Sequence, residues 1–177
     1  MKKQSLQEQK NATIYQYQLI RRTIINLELI YSYLFIAAIF LGFQLLVYGM
    51  NGLFSWLISF AIVQVLHIVI MLLTFIKVEE AAERKWVWRI TPPWIGFKPA
   101  NDITLFVFRR VHRQMFWLGL CVIGLLYPWI SSSLMISIIC WHLWLLSPRM
   151  LLSFIYRKAR KDGVLRLELN EASYYHR

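Results

Sequence analysis

The chain has 177 residues, of which 58% are hydrophobic, 16% aromatic and only 16% charged, and its mean hydropathy is +0.48. Soluble domains are about 45–50% apolar and about 25% charged, so this composition excludes a disordered tail, a small disulfide-rich protein and an ordinary soluble enzyme. The composition therefore predicts a membrane protein, and the length fits a single domain.

The formal net charge is +11, and the cations are unevenly distributed along the chain. Five Lys and Arg residues fall in 1–22, eight in 77–113 and seven in 149–177, with none elsewhere. Cytosolic loops of membrane proteins carry an excess of Lys and Arg. The pattern therefore predicts a multi-pass protein of the plasma membrane, with both termini and the central loop in the cytosol.

The first apolar run is long enough for two membrane-spanning helices. It places 48 uncharged residues between Glu28 and Lys77, and each crossing needs about 20 helical residues. Gly49-Met50-Asn51-Gly52 lies in the middle and has the composition of a turn. We therefore predict helices at 27–48 and 53–76.

The second apolar run, from Gln114 to Pro148, has only 35 residues, which is too short for two full spans and a turn. Either this hairpin is short and re-entrant, or Arg149 lies within a span. The second alternative is preferred because apolar residues resume after Arg149. The predicted helices then cover about 114–128 and 131–156, and the arginine snorkels toward the cytosol.

The central loop combines tryptophans with basic residues. Residues 78–90 are expected to continue the second helix until Thr91-Pro92-Pro93 ends it. Such a segment suits the headgroup layer of a membrane or a docking surface for a protein, whereas no nucleic-acid motif accompanies its cations. The residues predicted to contact lipid or a partner are Trp86, Trp88, Trp94, Arg109, Arg110, Arg113, Arg157 and Lys158.

The flanks of the second hairpin also carry structural signals. Asn101 or Asp102 is predicted to cap a helix that runs from Ile103 into the third span. After the hairpin, apolar and charged residues alternate over 165–169, which is strand periodicity. Because a single strand is not stable alone, the tail is expected to be mobile or to add to the sheet edge of a partner.

Polar residues within the apolar runs form the predicted site, because burying them in lipid is costly. Helical spacing places Gln64 and His67 on one face of their helix, and likewise His142 and Arg149. They are interpreted as hydrogen-bonding between helices or, alternatively, as a proton or ion path. Two histidines without further ligands do not specify zinc, so neither metal nor cofactor is expected. The complete predicted set is Glu28, Gln64, His67, His142 and Arg149, with Glu28 as the counter-charge of Arg149.

Two short strings match patterns of membrane proteases. Glu79-Glu80-Ala81-Ala82-Glu83-Arg84 fits EExxxR, and Phe108-Arg109-Arg110-Val111-His112 fits FxxxH. In these strings the chain resembles the CAAX-protease and bacteriocin-processing family, and the resemblance implies glutamates and histidines that activate a water. The chain departs from that pattern at Glu83, where the family usually has an aromatic residue, and after His142, where a later Asn or Asp is absent.

The predicted fold is all-α: a polytopic membrane helix bundle with four transmembrane helices in two hairpins and both termini in the cytosol. Its parts are a cytosolic N-terminal segment at 1–26, a transmembrane hairpin at 27–76, a cytosolic amphipathic loop at 77–113, a second transmembrane hairpin at 114–156 and a basic cytosolic tail at 157–177.

The expected function is that of a non-catalytic membrane subunit that anchors, assembles or regulates a larger complex. The expected partners are anionic lipid headgroups and either a second protein or further copies of this chain. The alternatives are an oligomeric transporter or channel subunit with an intramembrane His/Arg/Gln path, and a protease-like enzyme.

Overall fold

The computed structural model describes residues 18–78, 80–160, 163–168 and 170–176. Its helices are α1 (Leu27–Phe75), α2 (Leu105–Leu126) and α3 (Ser132–Ile155), with 3₁₀ turns at Ala81–Arg84 and Tyr127–Trp129. Its strands are β1 (Gln18–Ile24), β2 (Trp86–Arg89), β3 (Gly96–Pro99), β4 (Ile103–Thr104), β5 (Val164–Leu167) and β6 (Glu171–His176).

The predicted all-α bundle of four transmembrane helices in two hairpins is wrong. The described residues form three helices and two β-sheets, and only α1 and α3 are long and apolar enough to cross a bilayer. Helix α2 begins before the predicted third span and carries Arg109, Arg110 and Arg113 in its first half. These charges lie on the same continuous helix as the residues of the predicted third span.

Helix α1 is interrupted at Gly49, within the predicted turn. The φ of 58° and ψ of −140° at Gly49 lie outside the helical region, and glycine adopts a positive φ at little cost. A Cβ atom on Gly52 would lie only 2.2 Å from the carbonyl oxygen of Gln44. Residues eight apart in a straight helix are about 12 Å apart, so the chain folds back at Gly49.

The first segment of α1 packs antiparallel to α3. The ring of Tyr33 stacks on that of Trp144, with centroids 4.0 Å apart. Further along α1, the side-chain amide of Gln44 donates to the Ser133 carbonyl and accepts from the Ser133 hydroxyl, both at 3.2 Å. Residues later in this segment of α1 therefore contact residues earlier in α3, so the two helices run antiparallel.

The second segment of α1 meets α3 through aromatic rings. Trp141 lies against Trp56 and Phe60, with ring centroids 4.5 and 4.8 Å away. The indole N–H of Trp141 donates to the Trp56 carbonyl at 2.8 Å. Buried indoles need such an acceptor. This bond sets the position of α3 along its axis relative to α1.

A four-stranded antiparallel sheet joins the two ends of the described chain. Its strand order is β1-β6-β5-β4, with β1 paired to β6 from Gln18–His176 to Ile24–Glu171. The strand predicted at 165–169 is present as β5. It pairs with β6 and β4 of the same chain, so it is not a mobile tail.

The central loop is a β-hairpin, and the predicted helical extension of 78–90 is wrong. Helix α1 ends at Phe75, and β2 pairs with β3 from Trp86–Pro99 to Arg89–Gly96. The run Trp86-Val87-Trp88 contains aromatic and β-branched residues, which favour strands. The prolines at 92 and 93 lie in the connection between β2 and β3.

Helix α2 is capped by Thr104, whose hydroxyl accepts from the Val107 amide at 3.4 Å. The predicted cap, Asp102, instead forms a two-bond ion pair with Arg166 of β5, at 2.8 and 2.7 Å. As predicted, the helix continues past Arg113 without a break. The ion pair and the cap together hold the start of α2 against the sheet.

One apolar core joins the helix ends to the sheet. It contains residues from α1, α2, α3, the β2–β3 connection and three strands of the larger sheet. Its fully or almost fully buried members include Trp94, Ile103, Leu105, Phe108, Val111, Met115, Leu146, Leu165 and Ala172. The sheet is therefore part of the same folded body as the helices.

Replacement of Gly52 by alanine tests the reversal of α1. The added Cβ would overlap the Gln44 backbone, so we expect Gly52→Ala to reduce the free energy of unfolding by about 1–3 kcal/mol. Thermal unfolding in detergent measures this. Gly42→Ala is the matched control: nothing lies within 4 Å of its added Cβ, and alanine favours helix. Equal effects of both changes would contradict the reversal.

Candidate functional site

A buried histidine pair connects the three helices. The Nε2 of His67 and the Nδ1 of His142 are 3.1 Å apart, and the Nε2 of His142 is 3.3 Å from the Phe116 carbonyl oxygen in α2. A carbonyl only accepts, so the His142 Nε2 carries the proton and its Nδ1 accepts from His67. Both imidazoles therefore serve as hydrogen-bonding links between helices.

The histidine pair fits because α2 has a glycine opposite it. A Cβ atom on Gly119 would lie 2.2 Å from Cε1 of His142. The imidazole thus occupies the space that any larger residue would fill. This approach is specific to Gly119, since an added Cβ on Gly124, one and a half turns later, would meet nothing within 4 Å.

Arg149 is only 2% exposed and forms no ion pair with a carboxylate of the described residues. Its Nη2 donates to the carbonyl oxygen of Ile95 at 2.8 Å, in the β2–β3 connection. The expected pairing with Glu28 is not formed, because Glu28 is exposed. The arginine therefore binds the hairpin to α3 through a backbone group.

Gly96 lies beside Arg149 and Gln64. Its φ is 101°, and an added Cβ would lie 3.4 Å from both Arg149 Nη2 and Gln64 Oε1. Both amide atoms of Gln64 are buried and have no hydrogen-bond partner within the described part of the chain. Unpaired buried amides cost free energy, which makes Gln64 the least satisfied group of the cluster.

His112 is a further buried group near this cluster. Its Nδ1 donates to the Phe108 carbonyl at 2.8 Å, and the rings of Trp86 and Phe108 lie against it. His112 is only 1% exposed, and its Nε2 has no hydrogen-bond partner within the described part of the chain.

The described residues of the protease-like strings have other partners. The carboxylate of Glu83 accepts from the Thr104 amide at 3.0 Å, and Arg84 donates to the Val78 carbonyl. Glu79 lies outside the described residues. Within the described part, no group of three or more His, Cys, Asp or Glu side chains could hold a metal. The surroundings of His112 are aromatic, so the structure gives the resemblance no support.

The three tryptophans predicted to lie in the headgroup layer differ in exposure. Trp94 is 1% exposed, and its indole N–H donates to the Glu168 carbonyl at 2.9 Å. Trp86 packs between Phe75 and His112. Only Trp88, which is 42% exposed, is available to lipid or to a partner. The other two hold the hairpin against the core.

The basic residues of the predicted interface lie near the ends of α2 and α3. Arg109 donates to the Tyr156 carbonyl, and Arg110 is half-buried. Arg157 is exposed and covers the Phe154 ring at 4.6 Å. The remaining two, Arg113 and Lys158, are exposed.

An apolar groove of about 910 Å³ lies beside these arginines. It runs between the start of α1 and the last turns of α3, where Pro148 interrupts the backbone bonding. Proline has no N–H for the Trp144 carbonyl, and the Ser147 hydroxyl donates to that carbonyl instead, at 2.8 Å. The lining residues include Ile24, Leu29, Tyr33, Trp94, Arg109, Arg113, Leu151, Ser153, Ile155 and Arg157. Sequence reasoning missed the groove because it depends on packing between distant segments.

Comparison of the chain with protein-family models, curated proteins and solved structures finds no match.

Replacement of Gly119 by alanine tests the histidine link. The new Cβ would displace His142 from His67, so we expect Gly119→Ala to lower the free energy of unfolding by about 1–3 kcal/mol. Gly124→Ala, on the same helix, should leave it unchanged or raise it by up to about 1 kcal/mol. Thermal unfolding of both purified variants gives the comparison, and a neutral Gly119→Ala would exclude the close approach.

Proposed function

We propose that the chain is an integral membrane protein without a catalytic centre, and that it anchors, assembles or regulates a larger membrane complex as a subunit. The observation that carries this proposal is the reversed distribution of polar and apolar side chains on α1. Further features of the structure support an orientation of the chain in the membrane, a role for the buried cluster and a surface for a partner.

Helix α1 buries polar side chains and exposes apolar ones. Its buried residues include Gln44, Ser59, Gln64, His67 and Thr74. Its exposed residues include Tyr31, Phe35, Leu46, Phe54, Leu57, Val65 and Leu72, and Leu46 is 88% exposed. Soluble monomers rarely expose large contiguous apolar patches, whereas intramembrane polar groups face the protein interior. This distribution supports a lipid environment for α1.

The positions of aromatic and basic residues support an orientation. Tyr127 and Trp129, at the turn between α2 and α3, are 70% and 80% exposed, as expected for residues at a membrane interface. At the opposite end of α3, Arg157 and Lys158 are exposed near the sheet that joins β1 to β6. These features favour the sheet as the cytosolic end and the turn as the outer end.

The hydrogen bonds of the buried cluster support a structural role for it. His67 and His142 link all three helices, and Arg149 links α3 to the hairpin. Each of these side chains donates a hydrogen bond to a carbonyl or an imidazole of another element. Interhelical bonds of this kind contribute about 0.6 kcal/mol each on average in membranes. The bonds of His67, His142 and Arg149 therefore support a structural role in holding these elements together.

Strand β1 offers a surface for a protein partner. It is the last strand of its sheet, and only β6 pairs with it among the described residues. Leu19 and Ile20 on this strand are 49% and 56% exposed. A long, exposed edge strand presents backbone groups to which another chain can add a strand. This is the surface through which we expect the subunit to assemble.

A transporter or channel subunit is the second candidate. It is favoured by the two unpaired amide atoms of Gln64 next to Arg149, which has no carboxylate partner among the described residues. Groups of this kind line ion and proton paths in membrane proteins. The two candidates differ in what the removal of Gln64 would do.

Assembly through β1 is tested by gentle detergent extraction of a tagged chain and measurement of the stoichiometry of the purified complex. We expect a hetero-complex of fixed stoichiometry that Leu19→Lys with Ile20→Lys dissociates. Val87→Lys, on the exposed face of β2, should leave the complex intact. A chain that purifies alone as a homo-oligomer would contradict the proposal and favour the transporter.

Gln64→Leu separates the two candidates. Because leucine has a similar size and needs no hydrogen bond, the variant should assemble as before and should retain its activity in the host cell. Growth of the host and the stoichiometry of the complex are the readouts. A variant that assembles normally but has lost biological activity would favour an intramembrane path through Gln64.

A further inference from the structure

The groove between the start of α1 and the end of α3 contains polar atoms that lack partners. The hydroxyl of Tyr33, the hydroxyl of Ser153 and the Nε of Arg109 are all buried, and none has a hydrogen-bond partner within the described part of the chain. Buried polar atoms are normally satisfied. Three unsatisfied atoms on the lining of one groove indicate that a polar group of a ligand belongs there.

The charge at the groove is positive. Arg109, Arg113 and Arg157 line it, and within the described part of the chain no carboxylate forms an ion pair with any of them. Arginine binds phosphate oxygens through two parallel hydrogen bonds. The ligand therefore carries an anionic group, such as a phosphate.

The remaining lining is apolar and opens outward. Ile24, Leu29 and Leu151 contribute to it and are 62%, 58% and 58% exposed. The volume of about 910 Å³ lies in the range of ligand-binding pockets, which is about 300–1,000 Å³. A long apolar chain would cover these side chains while its charged end reached the arginines.

We propose that this groove binds one anionic phospholipid, with an acyl chain along Leu29 and Leu151 and with the phosphate at Arg113 and Arg157. The Nε of Arg109 and the Ser153 hydroxyl donate to the headgroup oxygens. The proposal rests on the membrane location proposed above, because that location supplies the lipid. It differs from general attraction of cations to a charged surface, since it assigns one lipid to one site.

Charge complementarity and shape favour a lipid over a free anion. A free phosphate would satisfy the arginines but leave the apolar part of the groove uncovered. An uncharged lipid would cover the apolar part but leave three cations without a counter-charge, and in a zwitterionic lipid the choline cation offsets the charge of the phosphate. Only an amphiphile with a net negative headgroup satisfies both parts of the lining.

Lipid titration of the purified full chain in a neutral detergent tests the site, with native mass spectrometry to count bound lipids. Phosphatidylglycerol should bind roughly tenfold more tightly than phosphatidylcholine with the same acyl chains. Arg113→Gln with Arg157→Gln should remove this preference. Arg110→Gln with Lys158→Gln, which changes the charge equally outside the groove, should retain it.

The part of the groove proposed to hold the acyl chain is tested by a separate variant. Leu151→Trp should fill the groove and abolish tight binding of phosphatidylglycerol, whereas Leu143→Trp, on the same helix but outside the groove, should not. Glycerol phosphate, which lacks acyl chains, should bind far more weakly than the lipid. Equal binding of the two phospholipids, equal losses in the control variants, or tight binding of glycerol phosphate would overturn the proposal.

Carbonate washing of membranes separates this proposal from that of membrane location. A chain that stays in the membrane but binds both phospholipids equally has lost only the lipid site. A chain that washes off contradicts the membrane location itself. Thermal unfolding of each variant verifies that a loss of binding is not a loss of the fold.

Discussion

The fold depends on a constraint that acts on the polar groups among its apolar helices: burial is favourable for a polar group that finds a partner inside the protein, because an apolar environment offers none. His67, His142 and Phe116 meet this constraint by joining three helices in one chain of hydrogen bonds. Gln44 and Ser133 meet it at the other end of α3. Apolar contacts also hold the helices together, because Val63, Ile123 and Leu145 from the three helices lie in one buried cluster. Polar groups, and glycines that allow close approach, add specificity to this packing.

The two sheets continue this pattern of internal hydrogen bonding at the basic end of the helices. Arg149 has no carboxylate partner among the described residues, and its bond to Ile95 brings the β2–β3 hairpin over the buried cluster. Trp94 then anchors that hairpin to the segment after β5 through the Glu168 carbonyl. Because β1 precedes α1 and β6 ends the described chain, their pairing closes the fold. Among the described residues, the free edge of β1 and the arginine-lined groove are uncovered at this end, and the two proposed interactions use them.

The sequence predicted the features that follow from local chemistry. The break at Gly49 was expected from its turn composition, and helical spacing grouped Gln64 with His67, both of which are buried. The sheets were missed because β2, β3, β4 and β5 have only two to four residues each, and β4 pairs with a strand about 60 residues away. The prediction that Glu28 pairs with Arg149 was wrong. Arg149 donates to the Ile95 carbonyl, and a backbone acceptor cannot be recognised from the pattern of side chains. Gly119 could have indicated the position of His142, but only a structure shows which side chain faces a glycine.

Collision accessibility of spin labels tests the central claim, that the outward face of α1 contacts lipid. Labels at Phe35→Cys and Val65→Cys, in a background with Cys121 and Cys140 changed to Ser, occupy exposed positions on the two segments of α1. In vesicles, both labels should collide with oxygen far more often than with a water-soluble nickel chelate. A label at Ile90→Cys, between β2 and β3, should show the opposite preference. Ready access of the nickel chelate to positions 35 and 65 would contradict a lipid environment for α1.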